Sequence, residues 1–336
     1  MDEMTNRQRF GAVMNFRPFD RLPVVEWAGW WNLTVDRWHR EGLPAEANGL
    51  DVNRHFGLDL LVQAWIGPRR SDFPPEHPEG GPPVRCMADY ERIRPFLYPW
   101  PAIDRNWWAN WAQKQADGQI VLWFTLDGFF WFPRSLLGIE PHLYAFYDQG
   151  ELMHRINADL ADWLVRVIDE ITSICTPDFM TFAEDMSYNH GPMLSKRLFD
   201  EFMTPYYHRV IPRLKERGIP AIIDSDGDIT TAATWFEQAG LDGILPLERQ
   251  AGVDVSKLRW AHPKMRFIGC FDKMTMNRGE AAMRGEFERL LPTAAKGGLI
   301  VSVDHQTPPG VSYEDYKLYV RLFREYAAEA GRMSRR

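Results

Sequence analysis

Apolar runs of strand length recur along the chain, each ended by a polar residue or a glycine. They span 22–27, 58–65, 119–127, 178–185, 220–227, 240–248, 266–273 and 297–305. They are continuous apolar stretches rather than strict alternations, the habit of parallel strands covered on both faces. Helical periodicity fills the gaps. Over 151–175, Met153, Ile156, Leu160, Leu164, Val167, Ile168, Ile171 and Ile174 fall three and four apart, one face of a helix. Further helices are predicted over 194–217, 229–239, 255–261 and 280–295. A last one opens at Ser312, with Asp315 three residues on as a capping box and Tyr316, Tyr319, Val320 and Phe323 as its apolar face.

Strands alternating with helices predict an α/β fold with a parallel sheet, here a single (β/α)8 TIM barrel. An open doubly wound sheet would be favoured by a glycine-rich phosphate turn, and neither GxGxxG nor GxxxxGK[ST] occurs. Residues 67–101, rich in Pro and Gly, are too short to hold a core and read as an inserted loop or lid. Residues 332–336 read as a frayed tail, which leaves 1–331 for the barrel.

Composition narrows the partners. A formal charge of -7 argues against a surface that tracks nucleic-acid phosphates or anionic lipid. No run of 18 apolar residues exists, so no membrane span is expected. The opening MDEMTNRQRF lacks an apolar h-region, so no signal peptide is expected. Cys86, Cys175 and Cys270 are odd in number and widely spaced, which fits a reduced, cytoplasmic setting. Tryptophan is the outlier. Eleven of the 14 stand at or before Trp131, a concentration that suits a core or a flat-walled pocket.

In such a barrel the chemistry belongs at the carboxyl ends of the strands. Those ends supply Glu26, Trp65, Asp127, Glu184 with Asp185, Asp224 with Asp226, Glu248, Asp272, and Asp304 with His305. One acid per turn is what helix N-caps ask for. Several carboxylates converging on one cavity are different, because like charges raise each other's pKa and call for a cation, shared protons or a cationic ligand. In Asp224-Ser225-Asp226-Gly227 the two aspartates point to one side of an extended segment, and Gly227 permits an unusual turn. The pair reads either as capping acids of a turn or as ligands or acid/base groups. His305, beside Asp304, suits general acid/base work or metal ligation, or a structural hydrogen bond. Glu184 and His190 lie near the fourth strand end, while His39, His77 and His262 read as surface or loop residues.

Ordered along the chain, these pieces resemble the uroporphyrinogen decarboxylase superfamily, which includes corrinoid-linked and cobalamin-linked methyltransferases. RQRFGAVMNFRPFDRLPVVEW is similar to its opening, and AEDMSYNHGPMLSKRLFDEFMTPYY to its central segment. DSDGDI, GLDGILPLE, IGCFDK and SVDHQTPPGVSYEDY are similar to its later strands. The resemblance implies the barrel, an enzymatic activity and a homodimer.

The departures matter as much. True uroporphyrinogen decarboxylases carry arginines after the first strand that hold the carboxylates of the tetrapyrrole. Here Glu26 and Trp30 occupy those places, and an anion there cannot bind a polycarboxylate. The pyrrole-facing aspartate of the decarboxylases falls near Trp65 and Ile66. Only the late histidine is matched, by His305. The zinc methyltransferases use a His-x-Cys pair and a third Cys. Their places hold Asp224-Ser225-Asp226 and His305, a harder candidate set for zinc, manganese or iron.

Three readings follow. The first is methyl transfer between a small methylated or methoxylated compound and a corrinoid protein or thiol. The substrate would sit in a pocket of Trp27, Trp30, Trp65, Phe129 and Trp131, helped by Glu26, Asp127, Asp185 and Glu248. Asp224, Asp226, Glu184 or His305 would manage protons. The second is decarboxylation or another lyase reaction on an unsaturated acid, which needs a cationic anchor from Arg69, Arg70 or Arg134. The third is a non-catalytic barrel that binds a ligand.

Overall fold

The computed structural model describes residues 3–335. Nine strands occur in chain order: β1 (Leu60–Ile66), β2 (Ile120–Asp127), β3 (Phe179–Ala183), β4 (Ser187–Tyr188), β5 (Gly191–Pro192), β6 (Ala221–Asp224), β7 (Gly243–Leu245), β8 (Arg266–Phe271) and β9 (Leu299–Val303). β4 and β5 form a small antiparallel hairpin. The other seven make one parallel sheet in the order β1-β2-β3-β6-β7-β8-β9, so neighbours in sequence are neighbours in space. Seven of the eight expected strands are present.

The eighth is not, and the closed eight-stranded barrel becomes a seven-stranded sheet bridged at its edges. Residues 22–27 lie between β1 and β9 without joining a ladder. On one side Asp59 donates its N–H to Val24 O at 2.8 Å. On the other, Trp27 donates its backbone N–H to Ser302 Oγ (3.1 Å) and its indole N–H to Val303 O (2.8 Å). The Glu26 carboxyl accepts from the Ser302 hydroxyl (2.6 Å) and the Val303 N–H (3.2 Å). The cause is local. Pro23 has no N–H to give, and the Glu26 and Ser302 side chains take partners that ladder bonds would use.

Register fixes what faces inward. Asp127 pairs with Ala183, and Ala183 with Asp224, so two acids stand level at the carboxyl ends of β2 and β6. Two residues earlier on the same face, Thr125 and Thr181 share a hydrogen bond (2.7 Å), and Gln63 of β1 donates to Thr125 (2.8 Å). Beneath the acids the interior therefore carries a short polar chain across three strands. Around it, helices bury their apolar stripes.

The helix predicted over 151–175 is Gly150–Thr172, with Met153, Ile156, Leu160, Leu164, Val167, Ile168 and Ile171 fully buried. The one predicted over 194–217 is broken at Met203 into Lys196–Phe202 and Thr204–Glu216, with Pro205 opening the second part.

The last helix, Tyr313–Ser334, starts at the expected Ser312–Asp315 capping box. It runs through the segment expected to fray, and Ser334 donates to Phe19 O at 3.3 Å; residue 336 lies outside the described residues. Segment 67–101 is not a loose lid. It contains the helix Met87–Ile93, buries Val84, Tyr90 and Ile93 completely, and is tied to the long helix by Tyr90 Oη donating to Asp159 at 3.0 Å. Cys86, Cys175 and Cys270 are free thiols. Among the described residues no helix is long and apolar enough to cross a membrane.

Candidate active site

The carboxyl ends of the strands surround a cavity of about 330 Å³. Trp27, Gln63, Trp65, Trp131, Asp185, Asp224, Asp226 and His305 are among its walls. Its volume is at the small end for ligand sites, so it suits a small molecule. The residues come from five strand ends, as barrel chemistry requires.

The turn after β6 aims the two aspartates. Ser225 Oγ accepts the Met186 N–H at 3.1 Å, which anchors the turn between its acids. Gly227 follows with φ +81°, and a Cβ there would stand 2.7 Å from the Tyr188 backbone, so only glycine fits. Its N–H donates to Glu248 Oε2 at 3.0 Å. Asp226 is thereby held with Oδ2 3.6 Å from Nε2 of His305. The edge of the Trp27 indole faces the same imidazole at 6.5 Å between centroids. Asp224 lines the cavity, and among the described residues its carboxyl takes no hydrogen bond.

Asp185 enters from the end of β3 in a left-handed conformation (φ +42°). Arg134 clamps it, with one N–H to its carbonyl (2.9 Å) and one to its carboxylate (2.6 Å). Arg134 also lies 4.4 Å above the Trp131 ring.

The electrostatics follow from crowding. Burial pushes Asp224 well above the usual carboxylate range, and Asp226 and Asp185 push it further the same way. Burial raises Asp185 too, against the pull of Arg134. His305 is raised, because the Asp226 carboxylate beside it favours the imidazolium. The mouth thus holds more carboxyl groups than cations, with protons to share between them.

Glu184 also lines the cavity, while the other predicted residues lie elsewhere. Both oxygens of Glu184 are engaged, accepting the N–H groups of Phe129 (2.8 Å), Phe130 (2.6 Å) and Trp131 (3.2 Å) and the Tyr207 hydroxyl. Burial pushes its pKa up to about 7 while these donors hold it down. Its carboxyl satisfies the free N–H groups that open the helix Trp131–Leu137.

Phe129 is fully buried against Phe182, Tyr206 and Tyr207 and does not reach the cavity. Asp127 is buried behind Trp65, whose indole N–H it accepts at 3.3 Å. Glu248 faces the Gly227 turn and Lys273 rather than the cavity. Glu26 and Trp30 wall a neighbouring, larger space. There Glu26 also accepts from Tyr316 (3.1 Å), and burial pushes its pKa up to about 7.

Of the candidate anchors, Arg134 is committed to Asp185, Arg70 to Asp72 on the surface, and Arg69 to Ser135. His262, expected at the surface, is buried with Nδ1 2.7 Å from Glu237, because the helix it follows packs it inward. Among the described residues, no three His, Cys, Asp or Glu side chains come together as a metal-holding group. Asp224, Asp226 and His305 therefore do not fit as a ready-made metal site.

Sequence reasoning missed three residues. Gln63 lines the cavity, and its sign was a lone amide inside the apolar run LLVQAW. Lys273 is buried and joins Asp304 (3.1 Å) to Gln250 (2.9 Å). Tyr207 on the helix Thr204–Glu216 reaches Glu184 across the core, and nothing in the sequence marks that contact.

Comparison with known proteins agrees with the fold. A methyltransferase from Methanosarcina mazei has a similar fold, with a TM-score of 0.63 at 14% identity over 96% of this chain and 99% of that one. A putative vitamin-B12 independent methionine synthase from Listeria monocytogenes aligns with a TM-score of 0.44 at 13% identity, over 93% and 98% of the two chains. No curated protein matches the sequence. The family described as uroporphyrinogen decarboxylase (URO-D) matches residues 133–326, more than half of the sequence, and the chain belongs to that family.

Proposed function

We propose that this URO-D family enzyme transfers a methyl group from a small methylated or methoxylated compound to an acceptor, a corrinoid protein or a thiol. The observation that carries this reading is the make-up of the mouth. Asp185, Asp224, Asp226 and His305 share a small cavity with Trp27, Trp65 and Trp131, and Arg134 at its edge is spent on Asp185. Carboxylates and indole faces favour an onium or a methoxy-bearing group and disfavour a free carboxylate.

The cavity has room for a small donor but not for a corrin ring beside it, so a corrinoid acceptor would approach from outside on its carrier protein. This chain's part is to hold the donor and manage one proton. As the bond from the methyl carbon to its oxygen or nitrogen breaks, the electron pair stays on that heteroatom. The His305 imidazolium, held protonated by Asp226, then protonates it. Indole walls orient the methyl group and keep water away from it.

The lyase reading lacks an anchor, since Arg70 pairs with Asp72, Arg134 pairs with Asp185, and Arg69 does not line the cavity. The test is to mix the enzyme with a corrinoid protein and a panel of methylated amines and methoxy compounds, and to follow methylcobalamin formation by absorbance. A donor-dependent spectral change is expected. No change with any donor, together with no methylation of a thiol acceptor, would overturn the reading.

A further inference from the structure

The missing eighth strand leaves a second space in the wall. It measures about 790 Å³ and lies at the seam between segment 22–27 and β1. That is a volume typical of sites for drug-sized ligands. It adjoins the mouth, because Trp27, Ala28, Gly29 and Gln63 line both.

Five indoles wall it: Trp27, Trp30, Trp107, Trp111 and Trp123. Trp107 and Trp111 come from the helix Arg105–Ala116, one turn apart, with their rings 6.1 Å apart between centroids. Core tryptophans normally fill their space; these surround one that is empty of protein. The charge is one-sided. Glu26 and Asp36 line the space, and among the described residues no Lys, Arg or His does. Lys114 stands 4.5 Å over the Trp111 ring, so that indole already takes a cation on its face, but the ammonium is not part of the wall.

Asn53 adds a specific polar contact. The residue is only 9% exposed, and its carboxamide has no hydrogen bond among the described residues. Neither of its polar atoms is sealed off from solvent. The free amide therefore opens into the cavity, which its residue lines. An amide that solvent reaches and no protein group bonds can donate to or accept from a ligand there.

We propose that this tryptophan-walled chamber is a binding site for a planar aromatic molecule that is neutral or cationic, oriented by a hydrogen bond to Asn53. Flat rings stack on indole faces, a positive charge gains from the indoles and from Asp36, and among the described residues a carboxylate or phosphate meets no cation. Occupancy of the chamber does not depend on which reaction runs at the mouth.

The test is isothermal titration of the full chain with 1-methylquinolinium, quinoline and quinoline-2-carboxylate as cationic, neutral and anionic probes of one shape. The cation should show a site in the chamber, besides any binding at the mouth, and the anion should bind there about tenfold or more weakly. Asp36→Lys, at an exposed helix position, should weaken the cation about three- to tenfold and leave the melting temperature unchanged. Trp107→Ala should weaken both the cation and quinoline about tenfold. Asp226→Asn, in the mouth, should leave quinoline binding and the chamber site of the cation unaltered. The proposal is overturned if neither the cation nor quinoline binds, if the anion binds equally well, or if Asp226→Asn abolishes binding while the chamber variants do not. None of these results requires turnover, so failure here is distinguishable from failure of methyl transfer.

Discussion

The Nε2 of His305 stands 3.6 Å from Oδ2 of Asp226, a contact that joins the end of β9 to the turn after β6 across the mouth. Its consequence is a histidine that keeps its proton to higher pH than a free imidazole. The raised pKa arises first from Asp226, with burial acting against it. If His305 is the proton donor, activity is full below its pKa and falls as pH rises through it. Removing the Asp226 charge leaves burial unopposed by that partner, so the pKa drops. Asp226→Asn should move the alkaline limb of the rate profile to lower pH, and an NMR titration of the His305 ring should move with it. An unmoved limb would remove His305 from the proton-donor role.

Asp226 depends on Gly227. At φ +81°, with Tyr188 backbone atoms 2.7 Å from where a Cβ would stand, alanine is excluded twice, by its own backbone preference and by contact. Gly227→Ala should cost about 3 kcal/mol in denaturant unfolding and lower activity more than Ser225→Ala does. Equal stability of the alanine variant and the native chain would mean that the turn has freedom the contact denies it.

The contrast between these residues and the sequence shows what could be read in advance. Seven parallel strands followed from seven apolar runs, because a strand covered on both faces must be apolar throughout. Asp224, Asp226 and His305 were legible because strand ends in a barrel converge whatever the loop sequences are. The eighth strand failed for reasons outside hydrophobic pattern. LPVVEW is apolar enough, but Pro23 and the side-chain bonds of Glu26 to Ser302 replace the ladder. Glu184 lines the mouth as its strand position says, but that position does not say which N–H groups its carboxyl receives. Its partners depend on a turn 55 residues away in sequence. Trp30 and Glu26 were placed in the wrong cavity, since the open seam that separates the two spaces is a product of that missing strand.

Glu184 can be tested as a structural group. Its carboxyl accepts three backbone N–H groups and the Tyr207 hydroxyl in a fully buried place. Glu184→Ala leaves these donors unpaired, and each unpaired buried group costs about 1–3 kcal/mol. A total loss of about 4 kcal/mol or more is expected, measured by urea unfolding. A variant as stable as the native chain but inactive would instead place Glu184 in the chemistry.

His142 supplies a pH dependence that is independent of the site. It is fully buried against Phe130 and Phe146, at 4.7 and 4.9 Å between centroids, and among the described residues neither ring nitrogen has a hydrogen-bond partner. Burial pushes its pKa down from 6.5 to about 3, and Arg134 adds to the shift. The folded state therefore refuses a proton that the unfolded chain accepts once pH falls below 6.5. Stability contributed by the neutral ring is complete above that value and falls as pH drops toward about 3, by up to about 1.4 kcal/mol per pH unit. Other groups titrate in the same range, so the comparison is with His142→Phe, which keeps an aromatic ring and cannot take a proton. Between about pH 7.5 and pH 5 the native chain should lose about 2 kcal/mol more than the variant in urea unfolding. Parallel losses in the two proteins would show that His142 finds a partner, or solvent, that the packed core denies it.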